Sequence, residues 1–144
     1  MSSKIVVGID GSPGSDRALE AAIDVAKRYD ASMVLCHVVE RIAAKGDMAP
    51  LHADEPEVKA AVEKQAADLR DQGIDTDVRS ESVVLGGPAR SLADVAGETG
   101  ADLIVVGTRG HSALAGVLLG SVTQKLLHLA GCPVLCVPKP HGED

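Results

Sequence analysis

The stretch Leu103-Ile-Val-Val-Gly-Thr-Arg-Gly110 decides how this chain folds. Its first four residues are apolar and mostly β-branched, which is typical of a parallel strand buried on both faces. Nine intervening residues separate Gly110 from Gly120-Ser-Val-Thr123. Apolar residues then recur at helical spacing, namely Val122, Leu126, Leu127 and Ala130. The sequence therefore predicts a buried strand, a glycine-containing loop and a helix that begins at Ser121.

A strand, a glycine loop and a helix start together favour a site for an anion such as phosphate. The first N–H groups of a helix have no partner within it, and they carry the positive end of the helix dipole. We expect Gly107 and Gly110 to give the loop left-handed dihedrals and a close approach to a ligand. The alternative is that these glycines only shape turns and that Ser121 only caps its helix. Neither the P-loop motif nor the dinucleotide fingerprint occurs, which disfavours a P-loop motor and a standard dehydrogenase.

The spacing Gly-x2-Gly-x9-Gly-Ser resembles the nucleotide loop of the ATP-binding branch of the universal stress protein family, with Gly107, Gly110, Gly120 and Ser121 at the matching positions. Four further segments share the resemblance, in order along nearly the whole chain: Val6-Val-Gly-Ile-Asp-Gly-Ser12, Leu35-Cys-His-Val38, Gly86-Gly-Pro-Ala89 and Cys132-Pro-Val-Leu-Cys-Val137. The resemblance implies one domain over residues 1–144, related to the adenine nucleotide alpha-hydrolase and Rossmann folds, that binds ATP and acts in regulation or the stress response.

Five apolar runs alternate with amphipathic helical patterns. The predicted strands are Lys4–Ile9, Ser32–Val39, Thr76–Val84, Asp102–Val106 and Cys132–Val137. This alternation predicts the α/β class, with an open parallel sheet of five strands and helices on both faces. The residues themselves leave two strand orders open, 3-2-1-4-5 and 2-1-3-4-5. The resemblance implies 3-2-1-4-5, in which the order reverses between the first and fourth strands, and ligands bind beyond the carboxyl ends of the strands at such a reversal.

Two segments show no periodic pattern. Residues 40–54 form a long connection with few apolar residues, and we predict that it is a mobile loop. Residues 138–144 are predicted to form a solvated tail.

The third predicted strand has Asp77, Arg79 and Glu81 on one face, a pattern that marks a protected sheet edge.

Composition narrows the classes of function. The net charge is −7, no lysine or arginine cluster occurs, and Trp and Phe are absent, which disfavours a nucleic-acid surface. No run approaches the length of a membrane span and no leader precedes the first strand, so we predict a cytoplasmic protein that binds no membrane. The three cysteines lie in apolar runs without a Cys-x-x-Cys pair, which predicts buried reduced thiols.

Asp10 is the first candidate site residue, because it ends the first strand at the predicted reversal. Its carboxylate would accept hydrogen bonds from ribose hydroxyls or bind Mg²⁺ that bridges the phosphates. The alternative is an Asx turn that ends the strand. By resemblance, Val38 and the backbone of Ile9 would line the adenine. No metal-ligand spacing involves His37, His52 or His128, which are predicted to be ordinary core or surface residues.

The phosphates are expected at the start of the last helix. Ser121, Val122 and Thr123 would give backbone N–H groups and two hydroxyls to them. Arg109, together with His111, would supply positive charge near the terminal phosphates, although a solvated loop arginine is the alternative. No nucleophile is paired with a base in the sequence, so catalysis is not predicted, although slow ATP hydrolysis is compatible with the loop and a metal ion.

The sequence thus predicts a regulatory protein that binds ATP with Mg²⁺. The first alternative is an interaction module of the same fold that binds no nucleotide. The second is an adenylating hydrolase, for which the turn from Asp10 to Ser15 lacks the usual run of serines and glycines. The last strand, Val134-Leu-Cys-Val137, carries no charge to protect its edge, which predicts a homodimer formed by pairing of two such strands.

Overall fold

The computed structural model describes residues 3–44, 46–50, 55–84, 87–108 and 120–139. The predictions made for Arg109, Gly110, His111, His52 and the end of the tail at residues 140–144 lie outside the described residues.

Within those ranges the chain forms six strands and four helices. In chain order they are β1 (Lys4–Ile9), α1 (Pro13–Tyr29), β2 (Ser32–Ala44), β3 (Asp47–Pro50), α2 (Glu55–Asp71), β4 (Thr76–Val84), α3 (Pro88–Thr99), β5 (Leu103–Gly107), α4 (Ser121–Leu129) and β6 (Val134–Val137). None of the described helices is both long and apolar enough to traverse a bilayer.

Five of these strands run parallel in the order β4-β2-β1-β5-β6. This is the predicted order 3-2-1-4-5, because β4, β5 and β6 are the third, fourth and fifth strands of the sequence analysis. The order reverses between β1 and β5, which pair at Ile5 with Leu103 through Val7 with Val105. Within the described residues β4 and β6 form the two edges of the parallel sheet, as predicted for Thr76–Val84 and Val134–Val137.

The prediction of a connection without regular structure over residues 40–54 was wrong for residues 40–44 and 47–50. β2 continues to Ala44, and after Gly46 the chain returns as the antiparallel strand β3, which pairs Arg41 with Pro50 through Ala44 with Asp47. Gly46 has a φ of +80°, a conformation that favours glycine and permits the tight reversal. The mobility of this segment stays a prediction.

Strand register places the β2–β3 hairpin beyond the end of β1. Residues 32–37 of β2 pair with β1 on one side and residues 33–41 pair with β4 on the other. Arg41 pairs with both Pro50 of β3 and Val84 of β4, so β3 lies on the side of β2 that β1 occupies. β1 ends at the pair Ile9–His37. The hairpin therefore extends past the carboxyl end of β1, above the turn that contains Asp10.

Helices cover both faces of the sheet, as predicted, and each face has its own core. One core joins side chains of α1 and α2 to those of β1 and β2, among them Val62 of α2, Val7 of β1 and Leu35 of β2. The other joins α3 and α4 to side chains such as Val6, Ile104 and Leu126. Of the apolar residues that predicted the last helix, Leu126 is buried, Val122 and Ala130 are partly buried, and Leu127 is exposed.

Candidate functional site

The turn after β1 and the end of β5 meet at the carboxyl edge of the sheet. Gly107, the last residue of β5, packs so closely on α1 that a Cβ built on it would lie 2.8 Å from the carbonyl carbon and oxygen of Gly14. The start of α4 joins the same edge, because the Gly120 N–H donates to the Thr108 carbonyl over 2.6 Å. Three segments far apart in sequence thus converge where the strand order reverses.

Gly107 is a glycine for a reason other than the one predicted. Its φ is outside the left-handed region, which among the described glycines only Gly11, Gly46, Gly73 and Gly100 occupy. The contact with the Gly14 backbone leaves no room for a side chain instead. The expected left-handed dihedral was therefore wrong for Gly107, and its lack of a Cβ permits the close approach of α1.

The turn after β1 uses its polar groups on itself. The Asp10 Oδ1 accepts from the Ser12 N–H over 2.9 Å and from the Ser12 hydroxyl over 2.5 Å, so the Asx turn considered as an alternative is present. Ser12 is the N-cap of α1, and its Oγ accepts from the Ser15 N–H over 3.2 Å. The Ser15 hydroxyl in turn donates to the Ser12 carbonyl. The start of α1 is therefore closed by side chains.

Carboxylates also place negative charge at the capped start of α1. Burial, followed by the charges of Glu20 and Asp10, raises the pKa of the Asp16 carboxyl in the first turn of α1. A carboxylate at this position also complements the helix dipole. An anion at the start of α1 would therefore meet carboxylates and a helix start that is already capped.

The start of α4 has the opposite character. Its N-cap is Gly120, which has no side chain to accept from the first N–H groups, and no acidic residue lies in its first turn. The first backbone bond inside the helix is donated by Gln124 to Gly120, over 3.0 Å. The N–H groups of Ser121, Val122 and Thr123 precede that bond, and Ser121 is exposed. These three groups have the orientation that an anion requires.

Thr123 differs from its predicted role in one respect. Its side chain is 4% exposed, and its hydroxyl donates to the Gly107 carbonyl over 2.9 Å. Because a hydroxyl has one proton to donate, the proton of Thr123 binds α4 to the end of β5. The exposed Ser121 hydroxyl and the backbone N–H groups remain as predicted donors to a phosphate.

A gap in strand pairing lies beside Asp10. On the side of β2 that faces β1, pairing with β1 stops at His37 and pairing with β3 begins at Arg41. Residues 38–40 lie between these two paired segments, and Val38 is partly buried against the α3–α4 core. The position predicted to line the adenine therefore lies between the end of β1 and the hairpin, where β2 has no pairing with either strand on this side.

The sequence analysis missed a buried contact between His37 and Glu55, because it treated His37 as an ordinary residue. The His37 Nε2 lies 2.6 Å from the Glu55 Oε2, and the side chains are 1% and 8% exposed. The contact is out of line for a hydrogen bond, and the His37 Nδ1 has no hydrogen-bond partner among the described residues. The visible signal was a histidine within an apolar strand and a glutamate at a helix start, but nothing in the sequence linked them.

The cysteines add no reactive group to this site. Cys36 is fully buried, and burial raises the pKa of its thiol to about 12. Cys132 and Cys136 are partly exposed rather than buried as predicted, and burial raises the pKa of both thiols. No cluster of three potential metal ligands of the His, Cys, Asp or Glu type exists in the part of the chain that the structure describes.

The structure therefore brings most of the predicted site residues to one edge. Asp10, Gly107 and the first turn of α4 lie around the strand reversal, while Ile9 and Val38 lie beside the pairing gap. Their contact with a ligand stays a prediction. Arg109 and Gly110, between β5 and α4, are outside the described residues.

Comparison with known proteins gives a consistent result. The model of the universal stress protein family matches residues 1–138. The universal stress protein YxiE of Bacillus subtilis is 34% identical, over 95% of this chain and 99% of that protein. A solved structure of a protein from the universal stress protein family from Burkholderia pseudomallei has a TM-score of 0.72 and 30% identity, over 95% of this chain and 96% of that one. A universal stress protein solved in complex with cAMP has a TM-score of 0.64 and 30% identity, over 94% of this chain and 96% of its own.

Proposed function

Because the chain belongs to the universal stress protein family, we propose that it binds an adenine nucleotide at the reversal between β1 and β5. The observation that carries this proposal is the open start of α4, where the N–H groups of Ser121, Val122 and Thr123 lie beside the end of β5. The relative solved with cAMP supports an adenine nucleotide as the ligand class.

The phosphates would lie at the start of α4 and the nucleoside would lie toward β2. Three adjacent N–H groups and the Ser121 hydroxyl supply donors, while the helix dipole contributes about 0.3–1 kcal/mol per charge. The ribose would lie near Asp10, and the adenine would pack on Val38 in the pairing gap of β2. With Tyr29 the chain's one aromatic residue and 71% exposed at the end of α1, aliphatic side chains would have to enclose the ring.

We propose further that the physiological ligand is ATP with Mg²⁺ and that the bound state regulates a partner rather than turning over. Asp10 would bind the metal, because it follows β1 at the strand reversal and carboxylate oxygens are ligands that Mg²⁺ prefers. Arg109 and Gly110 would complete the phosphate contacts from the loop.

Calorimetry with Mg-ATP on the wild type and on Gly120→Val tests this proposal. Gly120 has φ −70° and ψ 163°, an extended conformation that valine adopts without strain, so the variant should fold normally. Its side chain would stand where the phosphates approach α4, and we expect affinity to fall more than about 100-fold. Gly131→Val, after α4, is the matched control. Absence of binding heat from the wild type at millimolar Mg-ATP would reject the proposal.

A homodimer through β6 is the second part of the proposal. β6 has a described neighbour on one side only, and its Leu135 is 37% exposed. Pairing of two such strands about a twofold axis would cover both edges. The exposed edge of β6 also supports the alternative function, an interaction module that binds no nucleotide. Light scattering should show twice the chain mass, and Leu135→Lys should reduce it to one chain; a wild-type monomer would count against the dimer.

A further inference from the structure

The buried contact between His37 and Glu55 has a place in the architecture that the proposed function leaves unused. His37 is the last residue of β2 that pairs with β1, and Glu55 is the first residue of α2. The chain between them includes the whole β2–β3 hairpin. The contact therefore fastens α2 to β2 at the point where the hairpin leaves the sheet.

The first turn of α2 also reaches the turn after β1. Glu55 and Val58 are three residues apart and both buried, so they lie on the same face of α2. A Cβ built on Gly11 would lie 2.6 Å from the Val58 Cγ2, which shows how closely the Gly11 backbone packs on Val58. Gly11 itself has a φ of +81° and stands between Asp10 and Ser12. A contact path thus runs from His37 through Glu55 and Val58 to the turn that contains Asp10.

We propose that Glu55 and His37 are positioning residues for the nucleotide site. Their contact fixes the first turn of α2, and that turn, through Val58, holds the Gly11 backbone and so the direction of the Asp10 carboxylate. A buried carboxylate keeps its place only with a partner, because an isolated buried charge is strongly disfavoured. The inference rests on the proposed function, since it assigns the pair a role in binding the nucleoside.

The test is a double-mutant cycle between Glu55 and Asp10, read out by the Kd for Mg-ATP. Glu55→Ala should weaken binding by about tenfold in the wild-type background, because the Asp10 carboxylate would lose its position. In an Asp10→Asn background it should weaken binding by less than about twofold, because the contact between that carboxylate and the nucleotide would already be lost. Asn retains the side-chain oxygen that the Ser12 N–H requires. Glu57→Ala is the control, since Glu57 lies in the same turn of α2 and is exposed. A purely structural role for Glu55 would weaken binding by the same factor in both backgrounds, which would overturn the proposal, as would an unchanged Kd in the wild-type background.

Amide hydrogen exchange without nucleotide separates this inference from the proposed function. Glu55→Ala should speed exchange at Gly11 and Ser12 by about tenfold and leave β5 unchanged, and unchanged exchange at Gly11 would overturn the inference. If the wild type bound no nucleotide, the proposed function would fail and the exchange result alone would decide whether the pair holds the turn. Should Glu55→Ala not fold, Glu55→Gln keeps the shape of the side chain, removes its charge and serves in both measurements.

Discussion

The two helices that begin at the strand reversal differ in how their first turns are closed. At α1, Ser12 caps the helix, Asp10 accepts from Ser12, and Asp16 places a carboxylate in the first turn. At α4 the cap is Gly120, and no acidic residue follows in the first turn. A helix start that is already capped and negatively charged offers nothing to a phosphate, whereas an uncapped one does. This difference supports the proposal that the phosphates bind at the start of α4, with α1 as the support for Asp10.

The largest expected effect comes from disturbing the close contact between the end of β5 and the start of α1. Gly107→Ala would place a Cβ 2.8 Å from the Gly14 backbone, which cannot move as a side chain can. We expect the free energy of unfolding to fall by about 3 kcal/mol, as for an overpacked core. Denaturant unfolding measures it, with Gly97→Ala as the control, because a Cβ there meets nothing within 4 Å. Equal stability of the two variants would show that the close approach is not required.

A smaller effect is expected from Thr123→Val, which removes the hydroxyl that binds α4 to β5. The Gly107 carbonyl would lose a buried donor, at a cost of about 1–2 kcal/mol in the free energy of unfolding. Chemical denaturation of Thr123→Val and Thr123→Ser would measure this loss, since serine retains the donor.

Ser121→Ala tests the other hydroxyl in the first turn of α4. Ser121 is exposed, so its loss should change the free energy of unfolding by less than about 0.5 kcal/mol. Affinity for Mg-ATP should fall by about tenfold, because a donor to the phosphates is lost. If Ser121→Ala cost stability and Thr123→Val cost only affinity, the roles assigned to the two hydroxyls would be reversed.

The smallest effect concerns the closed helix start. Ser12→Ala removes the cap of α1 and should cost about 1 kcal/mol, which corresponds to a fall of about 4 °C in Tm. Ser12→Asp keeps a capping oxygen and should recover part of the loss, while it adds charge beside Asp10. A Tm for Ser12→Ala equal to that of the wild type would mean that the cap contributes nothing.

Local patterns were sufficient to predict most elements of this fold. Thr76–Val84 was predicted with both ends correct, and the last helix begins at Ser121 as predicted. These features depend on residues near in sequence, through apolar runs and helical spacing. The strand order was different in kind, because short apolar runs indicate that strands exist but not which strands are neighbours. The resemblance to a family supplied that order.

The features that were missed depend on tertiary contacts. Gly107 is small because Gly14 approaches it from another element, and no local pattern of residues reports that approach. His37 and Glu55 meet only because the hairpin between them returns the chain to the sheet. The hairpin itself had a weak signal, since a glycine such as Gly46 is typical of a tight turn between strands. The apolar runs on either side of this turn are too short to be recognised as strands in the sequence.

The most direct test of the account compares amide chemical shifts of the protein with adenosine and with Mg-ATP. The difference between the two titrations isolates the phosphates. We predict that the largest differences occur at Ser121, Val122 and Thr123, and that Gly14, Ser15 and Asp16 at the start of α1 change little. Larger differences at the start of α1 than at the start of α4 would contradict the account.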